Sequence, residues 1–360
     1  MIFYLDHIHH ENYLRRCIEL AELGRGEVAP NPMVGAVLVY QNKIIGEGWH
    51  QKYGKAHAEV NCLESVTEEN QEFISHATLY VSLEPCAHFG KTPPCANLIV
   101  AKKIKKVVIA SLDPNPLVAG KGIQILKDNG IEVIEGICDE VQRNLNRRFY
   151  TSHLLKRPYV MLKWAQSKDG FIGIENQRVK ISDKKTDLLV HQWRAEEQSI
   201  LVGTRTALID DPQLNARLFS ETKHPIRIVL DRNLAIPYKA HLYNDKQPTF
   251  IFNAIENKEI SNKTHRVKLA DFSPQSIVNT IYSLGIQSVL IEGGAAVLNE
   301  FIIANIWDEA RLIQSDMTIG IGISAPKLND HFILQEERRI ATDTLFFYRN
   351  TSQKIQANNK

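Results

Sequence analysis

One histidine and two cysteines of this chain have the types and the spacing of ligands for a catalytic zinc. His57 is followed by Cys86 and, after eight intervening residues, by Cys95. Three protein ligands of this kind leave the fourth position of a tetrahedral zinc to water, whereas a structural zinc is normally closed by a fourth protein ligand. The set therefore predicts a metal centre that performs chemistry.

A carboxylate stands beside this predicted metal centre. Glu59 follows His57 by two residues and is not needed as a ligand. In zinc-dependent deamination a Glu in this position carries protons while hydroxide attacks an amidine-like ring carbon. The usual signature closes with two cysteines only two residues apart, so the longer loop from Cys86 to Cys95 indicates a subclass. These residues predict hydrolytic removal of an amino group, with Glu59 as the catalytic acid and base.

Composition limits the classes of protein to which the chain can belong. Its 360 residues are enough for two domains, and 44% hydrophobic and 23% charged residues are ordinary for a soluble globular protein. The net charge of +2 does not favour a nucleic acid partner. The sequence shows neither an apolar run of the ~20 residues that span a membrane nor a signal peptide. With cysteines that do not suggest a disulfide framework, we expect a cytoplasmic protein without nucleic acid or membrane partners.

Alternating strands and helices must position these residues in the first half of the chain. Apolar runs predict strands at 34–40, 43–49, 78–83, 107–110 and 131–134. Helices are predicted to begin at His57, at Cys95 and after Gly122. This alternation implies a sheet covered on both faces. We expect the N-termini of the first two helices to meet, because their dipoles favour thiolate and carboxylate at one place.

The second half shows a similar alternation after a boundary near residue 150. Strands are predicted at 159–165, 199–203, 226–230, 249–252 and 288–291, with a helix over about 184–195. Glu292-Gly-Gly294 follows the last of these strands and opens a helix, an arrangement that lets a phosphate approach unpaired N–H groups. The glycine fingerprint of a Rossmann dinucleotide site is absent from this half. The chain after about His331 carries no specific signal, and the polar tail from Asn350 is expected to fray.

Five motifs of the first half form a distinctive set. They are Asn31-Pro-Met-Val-Gly-Ala-Val37, His57-Ala-Glu59, Leu83-Glu-Pro-Cys86, Thr92-Pro-Pro-Cys95 and Asp113-Pro-Asn-Pro116. Together they resemble the bifunctional deaminase–reductases of riboflavin biosynthesis, and the resemblance extends from about residue 12 to about residue 348. It implies an α/β fold with a cytidine-deaminase-like three-layer domain over residues 1–150. It also implies Zn²⁺ and deamination of 2,5-diamino-6-(5-phosphoribosylamino)pyrimidin-4(3H)-one. The substrate contacts that it implies are Asn31, His50, Asp113 and Asn115. His88 and Lys91, by their place in the loop between the two cysteines, are candidates to meet an anionic phosphate.

The motifs of the second half are similar, in order, to the reductase domain of the same family. They are Leu162-Lys-Trp-Ala-Gln-Ser-Lys-Asp-Gly170, Ile200-Leu-Val-Gly203, Asp210-Asp-Pro212, Leu230-Asp231 and Glu292-Gly-Gly294. The resemblance implies a dihydrofolate-reductase-like domain over residues 151–360 that uses NADPH to reduce the ribosyl arm to ribityl. Implied cofactor contacts are Ala165, Lys180, Thr206, Asp210, Gly294, Ala295, Ala296 and Val297. Implied substrate contacts are Arg194, Leu214, Arg217 and Glu292, and the two arginines suit a phosphate because a guanidinium binds its oxygens in a bidentate way.

Lys163 is the predicted catalytic residue of the reduction. It stands within an apolar strand, where a lysine is costly unless it serves a cavity. Alternation along the strand places it on the face opposite Leu162. Its ammonium would polarise the sugar C1 centre as hydride arrives, with Glu292 as a second catalytic residue.

The chain departs from the family pattern at one point. Arg178-Val-Lys-Ile181 stands where relatives usually show Ser-x-Trp-Ile, which leaves the form of the cofactor contact at Lys180 open and makes Arg178 an additional candidate for the phosphate. The sequence does not choose between Arg205 and Arg232 as the ligand of the 2′-phosphate of NADPH.

Two other interpretations remain open from the residues. The first is a zinc deaminase of nucleosides or tRNA with an unrelated C-terminal domain, which the near-neutral charge and the Thr-Pro-Pro-Cys loop disfavour. The second is a zinc-stabilised binding module, which would not need Glu59 beside an open zinc. We further expect a homo-oligomer that acts on a small phosphorylated pyrimidine.

Overall fold

The computed structural model describes residues 2–87, 93–116, 118–220 and 224–352. The chain divides into two compact units, residues 1–154 and 155–360. No helix in the described part is both long enough and apolar enough to cross a membrane.

The first unit is built on a five-stranded sheet with strand order β2-β1-β3-β4-β5. Its strands are β1 (Gly35–Tyr40), β2 (Lys43–Trp49), β3 (Thr78–Val81), β4 (Lys106–Ile109) and β5 (Glu132–Glu135). Its helices are α1 (Ile2–Glu22), α2 (Ala58–Glu64), α3 (Cys95–Ala101), α4 (Lys121–Asp128), α5 (Asp139–Leu145) and α6 (Arg147–Leu155), with a 3₁₀ helix at Glu68–His76. Strand β1 is antiparallel to β2 and β3, whereas β3, β4 and β5 are parallel. Parallel β3 and β4 therefore end at the same edge of the sheet.

Helices cover both faces of this sheet, as the alternation of strands and helices predicts. Ala36 and Leu38 of β1 pack in a core cluster with residues of α2, α3 and α4. Val37 and Val39 point to the other face and pack with residues of α1. Gly48 of β2 is needed for close packing, since a Cβ there would lie 2.3 Å from the backbone nitrogen of Cys62 in α2. The sheet thereby holds α2, and the residues at its N-terminus, in place.

The second unit is built on a ten-stranded sheet with order β10-β11-β9-β8-β7-β12-β6-β13-β15-β14. Its strands are β6 (Tyr159–Gln166), β7 (Ser199–Gly203), β8 (Ile226–Leu230), β9 (Thr249–Asn253), β10 (Lys258–Glu259), β11 (Thr264–Lys268), β12 (Ser288–Ile291), β13 (Glu309–Ser315), β14 (Phe332–Ile340) and β15 (Asp343–Asn350). Its helices are α7 (Thr186–Glu196), α8 (Thr204–Asp210), α9 (Pro274–Ser283) and α10 (Ala295–Ile303), with a 3₁₀ turn at His241–Tyr243. From β11 to β13 all neighbours are parallel. The carboxyl ends of β6, β7 and β12 consequently lie side by side.

The structure contains every predicted strand, with ends that differ by no more than two residues. The chain after His331 carries no specific signal in the sequence, and in the structure it forms β14 and β15. The predicted fraying from Asn350 is wrong at its first residue. Asn350 does not fray: it is buried, and its side-chain amide donates to the carbonyl of Trp307 at 2.9 Å. This order comes from pairing of β15 with β13, a contact between distant parts of the chain. The tail from residue 353 lies outside the described residues.

Candidate active sites

The three predicted zinc ligands lie together in the first unit. His57 is the N-cap of α2, Cys95 is the first residue of α3, and Cys86 follows β3. Nδ1 of His57 lies 3.6 Å from Sγ of Cys86 and 3.4 Å from Sγ of Cys95, and all three ligand atoms lie within 4.8 Å of one another. With zinc–ligand bonds of about 2.0–2.3 Å, tetrahedral ligands are separated by about 3.5 Å. The donor set and its spacing therefore fit one zinc ion.

The two cysteines differ in acidity although they are neighbours. The pKa of Cys86 is lowered to about 4. A hydrogen bond with Cys95 is the largest cause and His57 acts in the same direction, whereas burial opposes them. The pKa of Cys95 is raised, first by its hydrogen bond with Cys86 and then by burial. The backbone N–H of Cys95 also donates to Sγ of Cys86 at 3.3 Å. Cys86 is thus held as a thiolate, the form of cysteine that binds metals.

Glu59 lies in the first turn of α2, with 3% of its surface exposed. Burial raises the pKa of its carboxyl to about 7, and the charge of Cys86 acts in the same direction. Such a carboxyl can both accept and release a proton near neutral pH, as a general acid–base group must.

A cavity of about 270 Å³ opens on these residues. The four predicted substrate contacts all line it together with His57, Glu59 and Cys86; they are Asn31, His50, Asp113 and Asn115. Nδ1 of His50 donates to the carbonyl of Ala56 at 2.9 Å, which leaves Nε2 to accept from the Asn31 amide at 3.2 Å. Burial lowers the pKa of His50, in keeping with this neutral form. The cavity therefore presents fixed polar groups around an apolar space.

Asp113 and one residue that the sequence analysis missed supply carboxyls to the same cavity. Burial raises the pKa of Asp113 to about 7, although its Oδ1 accepts the Asn115 N–H at 2.7 Å. Glu84 also lines the cavity and is buried. Its place in the Leu83-Glu-Pro-Cys86 motif was the signal that could have identified it. His88 and Lys91, the predicted phosphate contacts, lie outside the described residues.

Lys163 and Glu292 come together in the second unit. Leu162 and Trp164 pack in one core cluster, and Lys163 points to the opposite face of β6, as the alternation predicts. Its Nζ lies 3.8 Å from Oε2 of Glu292, which follows β12. Burial lowers the pKa of Lys163 against the opposing effect of Glu292. Lys163 and Glu292 therefore lie at ion-pair distance from each other.

Arg194 of α7 binds the same carboxylate in a bidentate way. Its Nε and Nη2 donate to the two oxygens of Glu292 at 2.8 and 2.7 Å, and its Nη1 donates to the carbonyl of Asn215 at 3.3 Å. Burial would raise the pKa of Glu292, but Arg194 and Lys163 together lower it to about 2. The guanidinium that the sequence assigns to substrate is therefore engaged within the protein.

The other predicted substrate contacts lie in the loop after α8. Leu214 is buried there at a positive φ of 47°, and Arg217 is exposed, with Nη1 donating to Oδ1 of Asn215 at 2.8 Å. His191, one turn before Arg194, is a neighbour that the sequence analysis missed, and its Nδ1 accepts the N–H of Leu218 at 3.4 Å. Burial lowers its pKa to about 4, and Arg194 and Arg217 add to the effect. His191 was not predicted, because a single histidine within a helix does not by itself indicate a functional residue.

The predicted cofactor contacts gather at the ends of β7 and β12. The N–H of Gly294, the N-cap of α10, donates to Oγ1 of Thr206 in α8 at 2.9 Å. Gly293 permits this approach, since a Cβ there would lie 2.8 Å from the nitrogen of Gly203. Ala295, Ala296 and Val297 form the first turn of α10, and Ala165 lies near the end of β6.

The remaining candidates are charged residues near α7 and α8. Burial raises the pKa of Asp210, and Arg178 opposes this shift. Lys180 is exposed and forms an ion pair with Asp187 of α7. Arg178 is also exposed. The structure thus places Arg178 near Asp210 and Lys180 beside α7.

Comparison with known proteins matches both halves of the chain to described domains. Residues 7–111 match the cytidine and deoxycytidylate deaminase zinc-binding region, and residues 158–342 match the RibD C-terminal domain. Riboflavin biosynthesis protein RibD of Aquifex aeolicus is 39% identical over 320 residues, which cover 87% of this chain and 89% of that protein. RibD of Bacillus amyloliquefaciens is 40% identical over 333 residues, which cover 88% and 87%.

Solved structures match over nearly the whole length. The chain is similar to a diaminohydroxyphosphoribosylaminopyrimidine deaminase/5-amino-6-(5-phosphoribosylamino)uracil reductase of Thermotoga maritima, with a TM-score of 0.87 and 36% identity over 96% of this chain and 99% of the other. RibD of Acinetobacter baumannii gives a TM-score of 0.86 and 33% identity, with coverage of 96% and 99%.

Proposed function

The chain belongs to the RibD family of bifunctional riboflavin-biosynthesis enzymes, in which a zinc-dependent deaminase is fused to an NADPH-dependent reductase, and we propose how its two units divide this work. Residues 1–150 deaminate 2,5-diamino-6-(5-phosphoribosylamino)pyrimidin-4(3H)-one. Residues 151–360 then reduce the ribosyl arm of the product to ribityl. The observation that carries this proposal is the cluster of His57, Cys86 and Cys95 beside a cavity that Glu59 also lines.

The alternative of a nucleoside or tRNA deaminase with an unrelated second domain is not supported. Residues 158–342 match the RibD C-terminal domain, so the second half belongs to the same family as the first. A binding module without catalysis leaves the buried Glu59 beside the zinc ligands without a role.

In the deaminase unit, zinc held by His57, Cys86 and Cys95 would lower the pKa of a water so that it attacks the ring carbon at neutral pH. The Glu59 carboxylate takes one proton from the attacking water and passes it to the ring nitrogen. It then takes a second proton from the new hydroxyl group on the ring carbon and passes it to the amino group, which leaves as ammonia while the carbonyl forms. Its raised pKa suits this double role. Asn31, His50, Asp113 and Asn115 orient the pyrimidine, because they line the same cavity.

In the reductase unit, NADPH would supply the hydride for the sugar C1. The Lys163 ammonium stabilises negative charge that develops on the sugar oxygen, and Glu292 holds this ammonium in position. Arg194 fixes Glu292, whereas Arg217 has an exposed guanidinium that suits the substrate phosphate. Leu214 and Arg178 complete the proposed substrate contacts.

The proposed cofactor contacts surround the N-terminus of α10. Ala295, Ala296 and Val297 offer backbone N–H groups of a helix start, which suit the phosphates of NADPH, and Gly294 precedes them as the N-cap with its own N–H bonded to Thr206. The other members of the set are Ala165, Lys180, Thr206 and Asp210.

We also propose a cytoplasmic homo-oligomer. All five cysteines are free, as suits a reducing compartment. Strand β14 lies at the edge of the sheet, where Phe332, Ile333 and Leu334 are exposed. Antiparallel pairing of two β14 strands would cover these three exposed residues. Sedimentation should therefore report a dimer or a larger assembly, and Leu334→Glu should shift it towards the monomer. A wild-type monomer at all concentrations would exclude this part of the proposal.

One experiment tests the division of work between the units. Metal analysis should find about one zinc per chain, and chelation should abolish ammonia release from the diaminopyrimidinone substrate. Oxidation of NADPH, supplied with the already deaminated intermediate, should continue after chelation, because no residue of the proposed reductase site is a zinc ligand. Loss of both activities in a chelated chain that stays folded would contradict the two-site assignment.

A further inference from the structure

The carboxylate of Glu84 is surrounded by backbone donors. Glu84 is 3% exposed and accepts four backbone N–H groups. Its Oε2 accepts from Asp113 at 3.3 Å and from Gly120 at 3.0 Å. Its Oε1 accepts from Gly122 at 3.0 Å and from Ile123 at 3.4 Å. Four such donors saturate the lone pairs of one carboxylate.

The two donors to Oε2 stand at the two ends of one loop, of which the structure describes residues 113–116 and 118–120. Within this loop the Asn115 carbonyl accepts the N–H groups of Val118 and Ala119, both at 2.8 Å. Asp113, Asn115 and Val118 line the deaminase cavity. One carboxylate oxygen therefore closes a loop whose side chains form a wall of the cavity.

Glu84 is itself fixed relative to the zinc ligands. Its N–H donates to the carbonyl of Ser111 at 3.0 Å, and it stands two residues before Cys86. The chain between them presses against α4, since a Cβ on Gly122 would lie 2.0 Å from the carbonyl oxygen of Pro85. The loop is thereby set at a defined distance from the segment that carries Cys86.

From this geometry we propose that Glu84 is a positioning residue of the deamination. It holds Asp113 and Asn115 so that the pyrimidine is bound with its reacting carbon at the metal centre. The proposal rests on the proposed function, because it takes Asp113 and Asn115 as substrate contacts. Glu84 acts through the loop, because both of its carboxylate oxygens accept backbone N–H groups.

The two oxygens of Glu84 have separable tasks. Oε1 satisfies N–H groups at the start of α4, which is ordinary helix capping and contributes stability alone. Oε2 joins Asp113 to Gly120 and sets the shape of the loop. Capping by itself predicts a lower melting temperature with an unchanged KM. Positioning predicts a change in KM at temperatures where the chain is fully folded.

The test is Glu84→Gln in the full-length zinc-loaded enzyme. The amide keeps the shape but replaces one acceptor oxygen with an NH₂ group that faces two backbone donors. We expect KM for the diaminopyrimidinone substrate to rise about tenfold or more, as for loss of a hydrogen bond to a charged group. We expect kcat to change much less and zinc content to stay at one per chain. Glu64→Gln, on the exposed side of α2, is the matched control and should leave KM unchanged.

A double-variant cycle with Asp113→Ala separates positioning from a general disturbance. If Glu84 acts through the loop, the two KM effects should combine to much less than their product. An unchanged KM in folded Glu84→Gln, or loss of zinc with a fall in kcat, would overturn the proposal. If the Gln variant does not fold, Glu84→Asp takes its place as the test. This variant keeps the charge but shortens the side chain by one methylene, and it must raise KM, by less than the tenfold expected for Glu84→Gln.

Failure of the inference and failure of the proposed function give different results. A wild-type chain that releases no ammonia contradicts the function itself. A normal KM in Asp113→Ala removes Asp113 as a substrate contact. A raised KM in Asp113→Ala with a normal KM in Glu84→Gln leaves the function standing and rejects only the role of Glu84.

Discussion

The two sites each contain an enclosed glutamate, and the pKa values of the two glutamates are shifted in opposite directions. Glu59 has no cationic side chain bonded to its carboxyl among the described contacts, and burial raises its pKa to about 7. Glu292 is equally enclosed, but Arg194 and Lys163 lower its pKa to about 2. The first can carry a proton at neutral pH, and the second stays ionised. The same residue type therefore serves proton transfer or charge anchoring according to the cations around it.

The elements that deliver the catalytic groups also differ. In the first unit His57 and Glu59 stand at the N-terminus of α2, Cys95 begins α3, and Cys86 follows β3. In the second unit Lys163 lies within β6 and Glu292 directly after β12. Helix starts concentrate N–H groups that favour thiolate and carboxylate. The enclosed position of Lys163 within a strand instead requires a carboxylate partner for its ammonium, and Glu292 is that partner.

The largest effect is expected for the glutamate that carries protons. Glu59→Gln keeps the shape and all three zinc ligands, so zinc should remain bound. Deamination should fall by about 10²–10⁴-fold, since no other group replaces the proton carrier. Ammonia release and metal content are the measurements, with Glu64→Gln as the control. Near-normal turnover would show that Glu59 is not the proton carrier.

The next largest effect is expected for Lys163, the cation that Glu292 holds in position. Lys163→Met removes the charge and keeps most of the side-chain volume, so hydride transfer should slow by about 10²-fold, as when one stabilising donor is removed. Deamination in the same chain should be unaffected. The exposed Lys168 offers a matched control, and Lys168→Met should reduce the intermediate at the wild-type rate. Equal NADPH oxidation by both variants would reject Lys163 as the catalytic residue.

The smallest expected effect is on stability. The folded pKa of Glu292 is depressed, so its contribution is complete above pH 4.5 and is lost as the pH falls towards 2. Glu292→Gln should therefore destabilise the second unit by about 3 kcal/mol at pH 7, because it leaves two buried cations without a counter-charge. The difference from wild type should shrink below pH 4.5.

Urea unfolding followed by tryptophan fluorescence can measure this difference, since three of the four tryptophans, Trp164, Trp193 and Trp307, lie in the second unit. Glu300→Gln, on an exposed position of α10, is the control. A pH-independent difference between Glu292→Gln and wild type would mean that Glu292 is not ionised in the fold.

The sequence by itself determined the elements and the chemistry of the metal centre. Near-continuous apolar runs predict β1, β7, β8 and β12, because a strand that is buried on both faces consists mostly of apolar residues. The types and order of His57, Glu59, Cys86 and Cys95 suffice for zinc chemistry, since ligand identity restricts the metal more than any other feature. Placement of Lys163 opposite Leu162 likewise follows from strand periodicity alone.

Only the tertiary structure decided which charges meet. Arg194 and Glu292 are 98 residues apart in sequence, and no local pattern shows that the guanidinium binds this carboxylate instead of a phosphate. The four N–H groups that Glu84 accepts belong to residues 29 to 39 positions later in the chain, in a loop and at the start of α4. Strands β14 and β15 were missed for the same reason, since their order depends on pairing with β13. Local sequence encodes propensity and periodicity, whereas hydrogen bonds and charge pairs between distant segments exist only after the sheet has formed.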